Sequence, residues 1–235
     1  FASNKKTNST AYYNYNNLRS EKLEPLSGAV IELKYIDSLL RTLNWNTEFF
    51  TEKYATEDVI KSVRNPKILH ISTHGFFTDL NPDGGISGKS LLPGNDFTLN
   101  VDPLFCSGLY LAGAMNSLNG KTYGDEPQED GILTAYEVTN LNLDSTQLVV
   151  LSACETGLGK IQYGEGVFGL QRAFRIAGAE NIMMSLWKVD DRATQLFMKK
   201  FYSFWLSGES KSDALRNTID FFRFETKDYT HPFFW

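Results

Sequence analysis

The sequence predicts an α/β protein in which helices flank both faces of a mostly parallel central sheet. Short apolar runs such as LVVL at residues 148–151 have the length of buried strands, and stretches of helical periodicity separate them along the chain. Strands buried on both faces read as continuous apolar runs, and their alternation with helices is typical of parallel sheets. A chain of 235 residues is long enough for one large domain with a full hydrophobic core.

The first part of the chain is assigned from local patterns. Residues 1–20, rich in Asn, Ser, Thr and Tyr, are interpreted as a linker or an N-terminal arm outside the core. Residues 23–44 are predicted to be helical because their aliphatic side chains fall on one stripe, namely Ile31, Ile36, Leu39, Leu40 and Leu43. The elements predicted next are a strand at 47–55, a helix at 56–65 with Thr56 as N-cap, and a strand at 67–72.

The rest of the chain changes character at residue 78. Residues 78–130 are rich in Gly, Pro and Asp and are interpreted as long loops around one apolar segment at 104–114. Because long loops in compact domains are commonly functional, we expect them to border a substrate cleft and to carry regulation. The elements predicted downstream are helices at 134–141, 165–177, 192–206 and 211–224, and strands at 146–153 and 181–187.

Two reactive side chains follow the ends of predicted strands. His74 follows the strand at 67–72, and Cys154 follows the strand at 146–153. Because ligands and chemistry collect beyond the carboxyl ends of parallel strands, we expect both side chains at one rim of the sheet. A cysteine nucleophile needs an acid–base partner and N–H groups for the oxyanion. His74 and the amides of Gly75 and Cys154 would supply them.

Each of these residues also has a plainer interpretation. Most free cysteines are small buried hydrophobes, and His74 taken alone is a hydrogen-bonded loop residue. It is their joint placement at two strand ends that favours catalysis. The other histidines and cysteine are assigned to structure: His70 to the core, on the same strand as His74 and about 13 Å from it at roughly 3.3 Å per residue, His231 to a terminal aromatic cluster, and Cys106 to packing.

Composition and charge exclude several classes of function. The net charge of −5 leaves no basic footprint for nucleic acid. No apolar run approaches the roughly 20 residues that span a bilayer, so we expect no membrane association. Two cysteines and three histidines build neither a common zinc site nor a disulfide framework. We therefore expect no metal, and a reducing compartment such as the cytoplasm.

A glycine motif at residues 164–169 raises nucleotide binding as a further alternative. GEGVFG matches the dinucleotide fingerprint G-x-G-x-x-G and opens a predicted helix. However, the preceding strand ends about ten residues earlier, and Glu165 places a negative charge where a pyrophosphate should lie. We therefore expect no cofactor, and we interpret the glycines as allowing close packing of the helix against the Cys154 loop.

Several of these segments together resemble a known family. HISTHGFF, DGILTAYEV, LVVLSACETGLG and the long stretch from GEGVFGL to LWKVDD occur in the order found in CHAT domains. That family consists of caspase-like cysteine peptidases, related to separase and often found behind TPR repeats. The resemblance implies a caspase-like fold over residues 21–235, truncated at the C-terminus because the closing strand that normally follows His-Pro-x-x-Trp is absent.

The resemblance also implies roles for particular residues. Cys154 would be the nucleophile, His74 the general acid/base, and the amides of Gly75 and Cys154 the oxyanion hole. Asp190 and Asp191 would receive a basic P1 side chain, with Glu155 as a further residue of the cleft. Asp191 also suits the N-cap of the helix expected from Arg192, and Glu155 also suits a solvent-facing charge.

The functional setting is likewise implied by the resemblance. It is cleavage of a cytoplasmic protein, gasdermin-like or other, in bacterial defence or signalling, under control of an upstream TPR region or regulatory partner. The alternative, from a different class, is a catalytically silent CHAT-like scaffold for protein–protein interaction, because a fold does not guarantee chemistry.

Overall fold

The computed structural model describes residues 26–77, 85–88, 97–100, 103–120, 129–152, 165–185, 187 and 189–235. Within these ranges the α-helices, α1 to α7, are Ser27–Thr42, Glu57–Ser62, Ala114–Leu118, Ala135–Val138, Glu165–Ile176, Asp191–Leu206 and Lys211–Phe224. The strands, β1 to β8, are Ile68–Ile71, His74–Phe77, Gly85–Gly88, Phe97–Asn100, Ser107–Tyr110, Ile132–Thr134, Leu148–Leu151 and Ile182–Met184. None of the helices in the described ranges is both long and apolar enough to cross a bilayer.

The central sheet is parallel and has the order β1-β7-β8. Its middle strand, β7, is buried along its whole length, and its side chains alternate between two hydrophobic cores. Leu148 and Val150 face one core, and Val149 and Leu151 face the other. The α/β class and the covering of both sheet faces by helices are therefore confirmed, and the apolar run LVVL is explained by burial on both sides.

Helices from distant parts of the chain form the two cores. The core on one face of β7 contains side chains of α1, α6 and α7, among them Ile36, Phe201 and Ala214. The core on the other face contains side chains of α2, α4 and α5, such as Ile60 and Phe174. The predicted helices at 165–177, 192–206 and 211–224 are confirmed to within one residue at each end.

Two further sheets are antiparallel, which the sequence analysis did not predict. One has the order β2-β5-β6, and the other is the pair of β3 and β4. The interpretation of residues 78–130 as loops around the apolar segment 104–114 is therefore wrong at β3, β4 and α3, whereas β5 lies within that segment. These strands have four residues each and contain glycines and polar residues, so they show too little β-propensity and periodicity to be recognised locally.

The predicted strand at residues 47–55 is wrong. Residues 45–50 have no regular secondary structure, and a short 3₁₀ helix covers Glu52–Tyr54. Glu52 has a φ of 53°, which lies in the left-handed region and is incompatible with a strand. Phe49 and Phe50 are exposed, so the aromatic residues that suggested a strand do not pack in a sheet.

The helical stripe in α1 is narrower than predicted. Ile36 and Leu40 are buried, and Leu39 is partly buried against the same core. Ile31 and Leu43, which the sequence analysis placed on the same stripe, are 53% and 44% exposed. The buried face of α1 instead includes Glu32, a charged residue that is 2% exposed.

Side-chain oxygens cap several helices and set where they begin. Thr56 Oγ1 accepts from Val59 N at 3.4 Å, which confirms Thr56 as the N-cap of α2. Asp190 Oδ1 accepts from Ala193 N at 2.9 Å and caps α6. The expectation that Asp191 is this N-cap is wrong, because α6 begins one residue earlier than predicted.

Candidate active site

His74 stands at the junction of the two larger sheets. β1 ends at Ile71, and His74 begins β2, which belongs to the antiparallel sheet and pairs with Tyr110 of β5. Thr73, between the two strands, donates its hydroxyl hydrogen to the carbonyl of Tyr110. The expectation that His70 and His74 share one strand is therefore wrong, because the chain changes sheets between them.

The ends of β1 and β7 lie side by side. Ile71 pairs with Leu151 in the parallel register, and the amide of Ser152 donates to the carbonyl of Ile71 at 2.9 Å. Ser152, two positions before Cys154 in the sequence, therefore lies beside Ile71, three positions before His74. Cys154 and Glu155 lie outside the described residues, as does Gly164 of the glycine motif.

His74 lines an open groove of about 1210 Å³. The other lining residues come from α1, from segment 45–52, from α2, from β1 and from residues 110–116. Phe49 and Phe50 contribute apolar side chains to this groove and are 41% and 42% exposed. His74 thus borders this groove, and Gly75, the next residue, is buried.

Asp190 and Asp191 both accept backbone hydrogen bonds at the start of α6. Asp190 is exposed and caps the helix. Asp191 Oδ2 accepts from Gly28 N at 2.9 Å, close to the start of α1. A Cβ added to Gly28 would lie 2.5 Å from this oxygen, so the glycine permits the contact. One of the two predicted P1 carboxylates therefore links α1 to α6.

A cluster of buried polar side chains lies beneath the rim of the central sheet. The sequence analysis identified His70 of this cluster but not Glu32. His70 Nε2 contacts Glu32 Oε1 at 2.7 Å, and His70 Nδ1 contacts the Tyr202 hydroxyl at 3.0 Å. The interpretation of His70 as a satisfied core histidine is confirmed. Burial, and to a lesser extent the charge of Glu32, raises the pKa of Tyr202 above its usual range. Glu32 was missed, although it falls four residues before Ile36 on the buried face of α1.

The carboxylates of Glu57, Glu129 and Glu137 form a second charged cluster. One oxygen of each lies within 4.8 Å of the others, which is a spacing that a metal could use. Lys61 Nζ contacts all three, at 2.6, 2.8 and 3.0 Å respectively. A side-chain cation thus already occupies the position that a metal ion would need.

Replacing Glu57 with glutamine is expected to change how stability depends on pH. Glu57 is 1% exposed, and this burial raises its pKa from 4.5 to about 7. Between these values the folded state binds more protons than the unfolded state, so the free energy of unfolding falls as pH rises. Between pH 5 and pH 8, the free energy of unfolding measured in urea should rise in Glu57→Gln by about 2–3 kcal/mol relative to that of the unmodified protein.

The matched control is Glu129→Gln, which removes a more exposed carboxylate from the same lysine. It should leave the pH dependence of unfolding close to that of the unmodified protein. Equal pH dependence in Glu57→Gln and the unmodified protein would contradict the assignment of the raised pKa to Glu57.

The fold and the rim define the class of protein. It is an α/β domain in which two adjacent parallel strands end beside each other, one followed by His74 and the other by the segment that contains Cys154. The family model of the CHAT domain matches residues 2–235, and the chain belongs to this family. The CHAT domain is part of the superfamily of caspase-like cysteine peptidases.

Two relatives have been compared with the chain. Tetratricopeptide repeat protein 28 of Homo sapiens is 35% identical over 118 residues, which are 50% of this chain and 5% of the relative. Tetratricopeptide repeat protein 28 of Mus musculus is 34% identical over 109 residues, which are 46% of this chain and 4% of the relative. The chain thus spans a small part of the length of these relatives, which are named for tetratricopeptide repeats. No solved structure matches it significantly.

Proposed function

We propose that this chain is a cysteine endopeptidase domain that cleaves a protein substrate with Cys154 and His74. The observation that carries the proposal is the contact between the ends of β1 and β7, where Ser152 N donates to Ile71 O at 2.9 Å. His74 follows Ile71 by three residues, and Cys154 follows Ser152 by two. Membership of the CHAT family supports the same chemistry, and the caspase-like arrangement of the whole domain is part of the proposal.

The proposed reaction needs no group beyond the chain and water. The Cys154 thiol loses its proton to His74, and the sulfur bonds to the carbonyl carbon of the scissile peptide. The amides of Gly75 and Cys154 stabilise the oxyanion. His74 then donates the proton to the leaving amine as the C–N bond breaks. Water, deprotonated by His74, attacks the thioester, releases the acid product and restores the thiol.

We propose a basic P1 residue, received by carboxylates at the rim. Asp190 is the principal residue for this role because it is exposed at the start of α6. Asp191 would act at longer range, since it already accepts from Gly28 N at 2.9 Å. Glu155 is kept as a further cleft residue next to the nucleophile in the chain. Arg at P1 would bind a carboxylate through two parallel hydrogen bonds.

The setting is proposed from the family and its relatives. A TPR region upstream or a regulatory partner would control cleavage, and the groove beside His74 offers a place where ordering of the substrate could respond to it. The substrate would be a cytoplasmic protein, gasdermin-like or other, and the process bacterial defence or signalling. The alternative is a CHAT scaffold without catalysis, in keeping with relatives named for their repeats.

A peptidyl chloromethylketone with P1 Arg tests the proposal directly. We expect the native protein, with any activating partner present, to gain one adduct at Cys154 by intact-mass and peptide mapping. Cys106 serves as an internal control because it is 5% exposed and should react only after unfolding. Cys154→Ala should gain no adduct in the native state.

The same reagent with P1 Asp and a P1-varied peptide library measure the specificity. Cleavage after Arg or Lys by the native protein, lost in Cys154→Ala, would support the peptidase. If Cys154 is not labelled in the native state but both thiols are labelled after denaturation, the scaffold alternative is favoured and the peptidase is contradicted.

A further inference from the structure

A chain of buried polar side chains connects three elements beneath the rim. We call Glu32, His70 and Ser152 the Glu32 network. Glu32 Oε1 contacts His70 Nε2 at 2.7 Å, and Glu32 Oε2 accepts from Ser152 Oγ at 3.2 Å. Glu32 is 2% exposed and Ser152 is 4% exposed. The carboxylate of α1 therefore bridges β1 and the residue that follows β7.

Both ring nitrogens of His70 form hydrogen bonds. A ring nitrogen that faces a carboxylate carries hydrogen, so Nε2 donates to Glu32. The Tyr202 hydroxyl, 3.0 Å away, keeps its proton because its pKa is raised, and it donates to Nδ1. One ring hydrogen is sufficient for both contacts. Glu32 in turn receives a hydrogen bond on each oxygen, which offsets much of the cost of burying it.

A gain in stability alone does not explain why the Glu32 network is buried here. Replacing buried hydrogen-bonded polar or charged groups together by well-packed apolar residues is often neutral or stabilising. The Glu32 network differs from a simple core pair by its place in the fold. His70 is the penultimate residue of β1, and Ser152 directly follows β7. The two oxygens of one carboxylate thus hold the two strand ends that precede His74 and Cys154.

Ser152 is held by its backbone as well as its side chain. Its amide donates to Ile71 O at 2.9 Å, while its hydroxyl donates to Glu32. This pair of contacts orients the residue that directly follows β7 and precedes Cys154 by two positions in the sequence. Displacing a reacting group by about 1 Å can lower its rate by about 10²-fold. Small rotations at Ser152 would therefore lower the rate of the proposed reaction.

We propose that Glu32 is a positioning residue, which holds the ends of β1 and β7 in the relative position that the Cys154–His74 reaction requires. This inference rests on the proposed peptidase function. In this role Glu32 acts through Ser152 and His70, which it contacts directly, and it takes no part in the proton transfers of the proposed reaction. The consequence is that removing the Ser152 hydroxyl changes turnover more than substrate binding.

Ser152→Ala is the mildest test, because it removes one hydroxyl from the network. We expect kcat to fall about tenfold or more with KM nearly unchanged, since orientation is lost and binding is not. Glu32→Gln has one acceptor oxygen in place of two and should lower kcat as well. Amide hydrogen exchange in the peptide that contains residue 152 should become faster in both variants.

Ser107→Ala is the matched control. Ser107 is fully buried in β5, and its hydroxyl has no hydrogen-bond partner within the described part of the chain. The same substitution there should leave kcat and the exchange near residue 152 unchanged. Melting temperatures of both serine variants show whether a loss of kcat follows a loss of stability.

The outcomes separate this inference from the proposed function. If the unmodified protein cleaves peptides and Ser152→Ala keeps its kcat, the positioning role is wrong while the peptidase stands. If the unmodified protein is inactive on every substrate tested, the proposed peptidase function is wrong. Amide hydrogen exchange then tests the positioning of the strand end by itself. Faster exchange near residue 152 in Ser152→Ala but not in Ser107→Ala supports positioning of the strand end, and equal exchange overturns it.

Discussion

Replacing His74 with alanine is expected to lower kcat/KM for peptide cleavage by about 10²–10⁴-fold, the usual contribution of a general acid–base group. His74 would accept the thiol proton and return it to the leaving amine. It is the only histidine in β2, so no neighbouring imidazole of that strand would replace it. The imidazole lines the open groove and is only partly buried. We therefore expect the free energy of unfolding to change by about 1 kcal/mol or less.

The three histidines of the chain allow a matched set of variants. His70→Ala leaves the buried carboxylate of Glu32 without its partner at 2.7 Å and should cost about 3–5 kcal/mol of stability. His231 is exposed and accepts from Phe233 N at 3.1 Å, so His231→Ala should change neither quantity appreciably. Rates are measured on a P1 Arg peptide, and stability by urea unfolding.

This set contradicts the proposal under one clear outcome. If His74→Ala and His231→Ala cleave the peptide at the same rate as the unmodified protein, His74 is not the acid–base group. A loss of rate in His74→Ala that accompanies a large loss of stability would instead assign His74 to structure.

Gly131→Ala is expected to lower the free energy of unfolding by more than about 3 kcal/mol, within the range of severe backbone effects. Gly131 has a φ of 78°, a backbone angle that residues other than glycine rarely adopt. A Cβ there would lie 2.4 Å from Ala114 N and 2.9 Å from Ala112 O. Both of these are backbone atoms and have little freedom to move away.

The hydrogen bonds of Gly131 prevent the residue itself from shifting. Its amide donates to Glu57 Oε2 at 3.0 Å, and its carbonyl accepts from Leu111 N at 2.7 Å. The residue is therefore attached on both sides, to α2 and to the end of β5. Because residues 110–116 line the groove with His74, we expect the variant to lose activity together with stability.

Gly208→Ala is the control for backbone conformation without a clash. Gly208 follows α6 with a φ of 114°, and a Cβ there would have no heavy atom within 4 Å. Only the conformational cost of about 1–2 kcal/mol should remain. Unfolding in urea, followed by circular dichroism, measures both variants. Equal losses at the two glycines would show that the contacts with Ala112 and Ala114 do not matter.

Local chemistry explains which elements could be predicted. The helices α5, α6 and α7 carry periodic apolar residues over three turns or more. Side-chain oxygens of Thr56 and Ser210 cap α2 and α7, and both helices begin at the residue predicted or next to it. β7 has an uninterrupted apolar run. Such signals depend on neighbours in the chain, so they survive without knowledge of the fold.

Long-range packing explains what could not be predicted. Phe49 and Phe50 have β-propensity, but they are exposed and belong to no sheet. Glu32 is charged, yet it is buried because His70 and Ser152, distant in the chain, meet it there. Asp191 suited the N-cap, but Asp190 took that place and Asp191 accepts a hydrogen bond from Gly28.

For this protein, the sequence by itself determined the α/β class, the three C-terminal helices, the buried central strand and the CHAT motifs around His74 and Cys154. Only the tertiary structure decided that His70 and His74 belong to different sheets and that the ends of β1 and β7 meet beside a groove. It also decided that a buried carboxylate joins those ends. The physical reason is that periodicity and capping act between near neighbours, whereas sheet order and burial depend on which distant segments come into contact.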